Sequence, residues 1–126
     1  MTATVYILDP DPARQHRMGR ELGLAGHTCV FVDSAAALFA PPPTTGPSCL
    51  VVSVEPDAAA TLALVRQLRT RGVAIPVIAI GRHSAFRTAI DIARLESTDF
   101  LELPVGARAL LAAVAKACHE SEGGEA

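Results

Sequence analysis

The sequence predicts an α/β domain, a doubly wound parallel sheet of five strands with helices on both faces. Three observations lead there. Short apolar runs of strand length alternate along the whole chain with segments of helical periodicity, the pattern of βα units feeding a parallel sheet. The run Cys49 to Val54 is apolar apart from Ser53, as expected for a strand covered on both faces. At 126 residues, 50% hydrophobic and 19% charged, the chain has the length and apolar content for one packed core.

Each element follows from local chemistry. Thr4 to Leu8 reads as the first strand, and Asp11 with Pro12 supplies an N-cap and first-turn pair for a helix ending near Gly26, with Met18, Leu22 and Ala25 inward. Thr28 to Val32 is the second strand. Asp33 or Ser34 caps a short helix through Phe39, which Pro41, Pro42 and Pro43 must end, and the chain to Ser48 is loop. Cys49 to Val54 makes the central strand. After Pro56, Asp57 caps a helix whose buried face is Thr61, Leu64, Val65 and Leu68 (i, i+3, i+4, i+7), closed at Gly72. Pro76 to Ile80 is the fourth strand. Ser84 caps a helix with Phe86, Ala89, Ile90 and Ala93 inward, and Asp99 to Leu103 is the fifth strand. The last helix buries Ala107, Leu110, Leu111, Val114 and Cys118. Residues 1–119 form the domain, and 120–126, rich in Ser, Glu and Gly, read as a polar tail or linker stub.

Composition removes several function classes. A formal net charge of -2 and four Phe, one Tyr and no Trp offer neither an electrostatic footprint for phosphate backbones nor a stacking platform for bases. No direct nucleic-acid contact is expected of this domain. Its longest apolar runs are too short to span a bilayer, and the N-terminus lacks a basic segment followed by an apolar one, so neither membrane insertion nor secretion is expected. Cys29, Cys49 and Cys118 lack metal-ligand spacing and fit reduced core thiols of a cytoplasmic protein. His16, His27 and His119 stand apart without triad or zinc spacing, and no GxGxxG, P-loop or nucleophile elbow occurs. No cofactor is implied.

Five βα units of this length suggest the flavodoxin-like strand order 2-1-3-4-5, whose binding crevice opens at the C-terminal strand ends. Those ends carry Asp9, Pro10 and Asp11, then Ser53, then Gly81 and Arg82, then Leu103 and Pro104. With VYILDPDPA at the start, PVIAIGRH around the fourth strand, TDFLELPV around the fifth and ALLAAV in the last helix, residues 4 to about 118 resemble the receiver domains of two-component response regulators. The resemblance is strongest to receivers that precede a helix-turn-helix output domain. In that family an aspartate after the third strand accepts a phosphoryl group and an acidic pair after the first strand holds Mg2+. A Thr or Ser after the fourth strand and a Lys after the fifth bind the phosphate oxygens.

Residue by residue, the resemblance puts the acceptor at Ser53, the acidic pair at Asp9 and Pro10, the hydroxyl at Gly81 and the lysine at Leu103. Of these, Asp9 alone keeps its chemistry. A serine hydroxyl needs a general base to act as a nucleophile, Pro10 has no side-chain oxygen for a hard cation, and Leu103 replaces a cation with an apolar group. Asp9 and Asp11 remain weak candidates for a cation site; as a turn acceptor or solvated acid Asp9 needs no metal, and Asp11 is explained as a cap. Glu55 is expected to be exposed and Asp57 to cap a helix, and Arg82 with His83 is either a charged loop or a meeting point for an anion.

Phe100 sits where the family places a mobile aromatic, and Pro104 keeps the corner after it. Ile92 and Leu95 lie outside the inward set of their helix, while Ala109 and Ala113, with Ala112, are expected opposite the buried stripe of the last helix. Together they mark a face for a protein partner or a second copy. The expected function is therefore a phosphorylation-independent pseudo-receiver, not an enzyme, acting as an interaction and dimerisation module of a response regulator that controls transcription through an attached output domain. Two alternatives stay open: a phosphoacceptor that uses Asp9, Asp11, Glu55 or Asp57 as replacement acids, and a small-ligand sensor built around Ser53, Gly81 and Leu103.

Overall fold

The computed structural model describes residues 2–39, 46–82, 91, 94 and 98–123. Strands β1 (Thr4–Leu8), β2 (Thr28–Phe31), β3 (Ser48–Ser53), β4 (Val77–Gly81) and β5 (Thr98–Glu102) form one parallel sheet in the order β2-β1-β3-β4-β5. β3 is the central strand, paired with β1 from Thr4↔Ser48 to Leu8↔Val52 and with β4 from Leu50↔Val77 to Ser53↔Ile80. Its burial explains the uninterrupted apolar run.

Alternation along the strands divides the core between the two faces of the sheet. Val5, Ile7, Cys49, Val51, Ile78 and Ile80 pack with α1 (Pro12–Leu24) and α3 (Ala107–Gly123), where Met18, Leu22, Leu110 and Val114 are fully buried. Tyr6, Leu50, Val52, Val54, Val77 and Ala79 pack with α2 (Ala58–Thr70) through Leu64, Val65 and Leu68. Each of these large side chains contributes about 1.5–3 kcal/mol by leaving water. All three cysteines are free. The Cys49 thiol is pushed up by its hydrogen bond with Cys118 and by burial, which keeps it an unreactive core group. His27 serves the fold: its Nδ1 accepts from Ala3 N–H at 3.1 Å, and burial lowers its pKa. Among the described residues no helix is long and apolar enough to cross a membrane.

Several expectations require correction. The strand bounds of β3, β4 and β5 each begin one residue away from those expected, within the usual fraying of element ends. Ala25 is not inward; it is the exposed C-cap of α1. The short segment after β2 is a 3-10 turn, Ala35–Leu38, and Ser34 makes no side-chain cap bond. In α3 the buried stripe is Leu110, Ala113, Val114, Ala117 and Cys118, while Ala107 is exposed. Ala113 is thus a core residue, because the i+3 neighbours of the stripe turn inward along with its i+4 neighbours; Ala109 and Ala112 are exposed as expected. α3 also continues to Gly123, into the stretch expected to be tail. The helix expected from Ser84, with His83, Phe86, Ile92 and Leu95, lies outside the described residues apart from Asp91 and Arg94.

Candidate functional site

At the C-terminal end of β1 the chain turns through Asp9, Pro10 and Asp11 into α1. Asp11 caps the helix, its Oδ1 accepting from Ala13 N–H at 3.0 Å and Arg14 N–H at 3.2 Å. That turn brings Arg14 over Asp9. Arg14 Nε donates to Asp9 Oδ2 at 2.6 Å and Nη2 to Oδ1 at 2.8 Å, a two-point guanidinium–carboxylate pair. Asp9 Oδ1 also accepts from Asp11 N–H at 2.9 Å, and the Gln15 side chain donates to the Asp9 carbonyl. The residue is only 2% exposed. Asp9 is therefore a turn acceptor as expected but not a solvated acid: it is buried and neutralised from inside the chain. Its hydrogen bonds raise the Arg14 pKa further above the ordinary value, so the guanidinium remains charged.

Across the sheet end, Ser53 is 4% exposed. Its hydroxyl accepts from Glu55 N–H at 3.1 Å and faces the Glu55 carbonyl at 3.4 Å. The Thr61 hydroxyl donates to the Ser53 carbonyl at 3.0 Å, tying α2 to the end of β3. Asp57 caps α2 through Ala60 N–H at 3.1 Å. Glu55 is half-buried rather than exposed, and pairs with Arg82 Nε at 3.2 Å. Asp9, exposed Pro10, Ser53, Glu55 and Asp57 line one cavity of about 430 Å3, floored by Leu8, Val52 and Leu64. Each acid there except Asp33 holds an ion pair or a backbone cap.

Gly81 belongs to neither chemistry nor cavity. A Cβ at this position would lie 2.3 Å from Val54 Cγ2 and 3.2 Å from Phe100 Cζ; the volume that a hydroxyl-bearing side chain would take is already filled. Phe100 accordingly packs inward, partly buried against the α2-side core. Leu103 donates its N–H to the Gly81 carbonyl at 2.7 Å and packs partly buried on the α1 and α3 side. With exposed Pro104 it lines a second cleft of about 520 Å3 shared with Asp11, Ala13, Arg14, Arg17 and Arg82. The structure thus brings Asp9, Pro10 and Ser53 to one cavity and places Leu103 at another.

The residues present do not fit a hard divalent cation. Such an ion seeks several oxygens, with carboxylates the strongest; Asp9 offers both of its oxygens to a guanidinium, Pro10 offers none, and the Ser53 hydroxyl is engaged in its own turn. Two deciding residues escaped the sequence reading, Arg14 and Val54. Arg14 did leave a signal: a cation in the first turn opposes the helix dipole, so its presence there asks for a nearby acid. Val54 left none.

Similarity to known proteins agrees with this fold. No protein-family model matches the sequence. The transcriptional regulatory protein FixJ of Azorhizobium caulinodans is 29% identical over 110 residues, covering 87% of this chain and 52% of that protein. The response regulator FleR of Pseudomonas aeruginosa is 31% identical over 116 residues, covering 92% of this chain and 24% of that protein. Full-length FixJ from B. japonicum superimposes with a TM-score of 0.83 at 24% identity, covering 94% of this chain and 59% of that one. This chain has the fold of response-regulator receiver domains, and its sequence is similar to such regulators over about nine-tenths of its length. A receiver domain from Clostridium thermocellum, 15% identical, aligns over 95% of this chain and 97% of its own with a TM-score of 0.83, which shows the shared fold. The receiver spans from about half to about a quarter of the length of these curated relatives.

Proposed function

We propose that this receiver is a pseudo-receiver, a signalling module that works through protein contacts without accepting a phosphoryl group. The observation that carries this reading is the buried Asp9–Arg14 pair. Phosphoryl transfer to a receiver depends on positive charge placed against the transferring group; here the carboxylate of Asp9 is neutralised by a side chain of the helix that follows it. Three further features support it. The Ser53 hydroxyl is bonded within its turn, Gly81 is packed under Val54 and Phe100, and Leu103 supplies no cation. The replacement acids Glu55 and Asp57 are held by Arg82 and by the α2 N-terminus.

The contact face in this reading is the outer side of β5 and α3, where Ala109 and Ala112 are exposed and permit close approach of a helix. A second copy of the chain, or a partner regulator, docks there. In relatives named as transcriptional regulators the receiver is a fraction of a longer protein; by analogy, this module sets the activity of an attached or associated output domain by controlling assembly, in the cytoplasm.

The test is titration of the domain with beryllofluoride and Mg2+, a mimic of a phosphorylated aspartate, followed through backbone amide NMR shifts. The expected result is no saturable change. Saturable shifts at Asp9, Ser53 and Phe100 would mean a working pocket and overturn the reading.

A further inference from the structure

The second cleft has a composition that the receiver fold does not require. Three arginines, Arg14, Arg17 and Arg82, line about 520 Å3 of space together with Ala13, Leu103, Pro104 and, among the described residues, one acid, Asp11. This happens in a chain whose net charge is -2. The volume lies in the range of small-molecule sites. Asp11 is engaged at its helix cap, bonded to two backbone N–H groups, and its other oxygen lies 3.6 Å from Arg14 Nη1, which leaves Arg17 and Arg82 as the arginines turned to a ligand.

Each arginine is anchored by part of its guanidinium. Arg17 Nη1 donates to the Val105 carbonyl at 2.8 Å and sits 3.4 Å from Glu21. Arg82 engages Glu55 through Nε at 3.2 Å. Among the described residues the other N–H groups of Arg17 and Arg82 make no hydrogen bond, and Arg82 is 72% exposed along its side chain. A guanidinium carries five N–H donors in a planar fork. Anchoring one edge fixes the fork and lowers the ordering cost of binding with the other. Leu103 and Pro104 give the cleft one apolar wall.

We propose that this cleft binds a small oxyanion noncovalently, an organic phosphate or carboxylate whose charged group meets Arg17 and Arg82 and whose apolar part lies on Leu103 and Pro104. The ligand takes over the role of an input signal: it bridges the α1 N-terminus, the end of β4 and the corner after β5, and so couples occupancy to the β5 and α3 face. This rests on the reading that the domain takes no covalent phosphate.

The experiment is an NMR titration of the chain with inorganic phosphate, phenyl phosphate and succinate, each against sodium chloride at equal ionic strength, reading arginine Nε–H and backbone amide resonances. Saturable shifts at Ala13, Arg17 and Arg82 are expected in the millimolar range or below, tighter for phenyl phosphate than for inorganic phosphate, and weakened about tenfold or more in R17A/R82A. Succinate saturating where the phosphates do not would identify a carboxylate as the source, and the reverse a phosphate. R82A alone, at an exposed position, tests the same point if the double variant fails to fold. Shifts that follow ionic strength only, or binding unchanged in R82A, would overturn the proposal. A parallel incubation with acetyl phosphate and Mg2+, read by intact mass, separates the two readings: gain of a phosphoryl group sinks the pseudo-receiver reading, whereas unchanged mass without saturable shifts sinks the oxyanion cleft alone.

Discussion

The two sides of the crevice have been reorganised by different physics. On the β1 side the family acid survives at Asp9, and a cation from the chain itself, Arg14, takes its charge. On the β3 to β5 side the residues are small or apolar and the space beside Gly81 is filled: Ser53 bonds its own turn, while Val54 and Phe100 occupy the volume next to Gly81. One side is held by compensated charge and the other by packing. The difference teaches that charge and volume at the strand ends are each satisfied by the nearest suitable neighbour. A residue introduced at one of these positions meets a place already taken.

The largest effect is expected on the charge side. Arg14→Ala leaves the Asp9 carboxylate buried without its partner, and breaking a buried pair from one side costs about 3–5 kcal/mol. Urea unfolding should show the midpoint drop with little change in slope. D9N/R14A should recover much of that loss, since no charge is then stranded. If R14A proves mild and D9N/R14A no better, the pair is not what holds the β1 side, and the contrast with the packed side fails.

On the packing side, Gly81→Ala drives a Cβ toward the buried Val54 methyl group, an approach of 2.3 Å before relaxation. Overpacking of this kind costs about 1–3 kcal/mol. Val54→Ala removes the obstacle, so G81A/V54A should be less destabilised than the sum of the single changes, with a coupling of about 0.5–3 kcal/mol. Strict additivity would show that Gly81 is indifferent to its neighbours.

How much of this was legible in the sequence follows from the range of the interactions. The strand order rests on the continuous apolarity of Cys49 to Val54 and on regular βα spacing, both local patterns, and the structure has the β2-β1-β3-β4-β5 order expected. The caps Asp11 and Asp57 are local too and act as caps. Burial of Ala113 was missed because an alanine beside a stripe of larger residues reads equally well as inward or outward. At the site, the positions were legible but their partners were not. Whether Arg14 folds back on Asp9, or whether Val54 leans over Gly81, depends on side-chain directions that spacing alone does not set. The grouping of Arg17 and Arg82 around Leu103 joins residues far apart in the chain and has no sequence signature at all.

The smallest expected effect isolates what makes the packed side stiff. Gly19 in α1 has an equally close approach, its Cβ falling 2.6 Å from Phe31 Cζ. Here the obstacle is the far end of a ring on the edge strand β2, and Phe31 is 50% exposed. The ring can swing into solvent, and replacing a glycine inside a helix by alanine gains about 0.5–1 kcal/mol. Gly19→Ala should therefore stay within about 0.5 kcal/mol of the parent in thermal or urea unfolding, as surface changes usually do. A loss as large as that of Gly81→Ala would mean that close approach alone sets the cost. Near-neutrality at Gly19 beside a clear loss at Gly81 would place the cost in burial: the β3 to β5 side resists change because Val54 has nowhere to go.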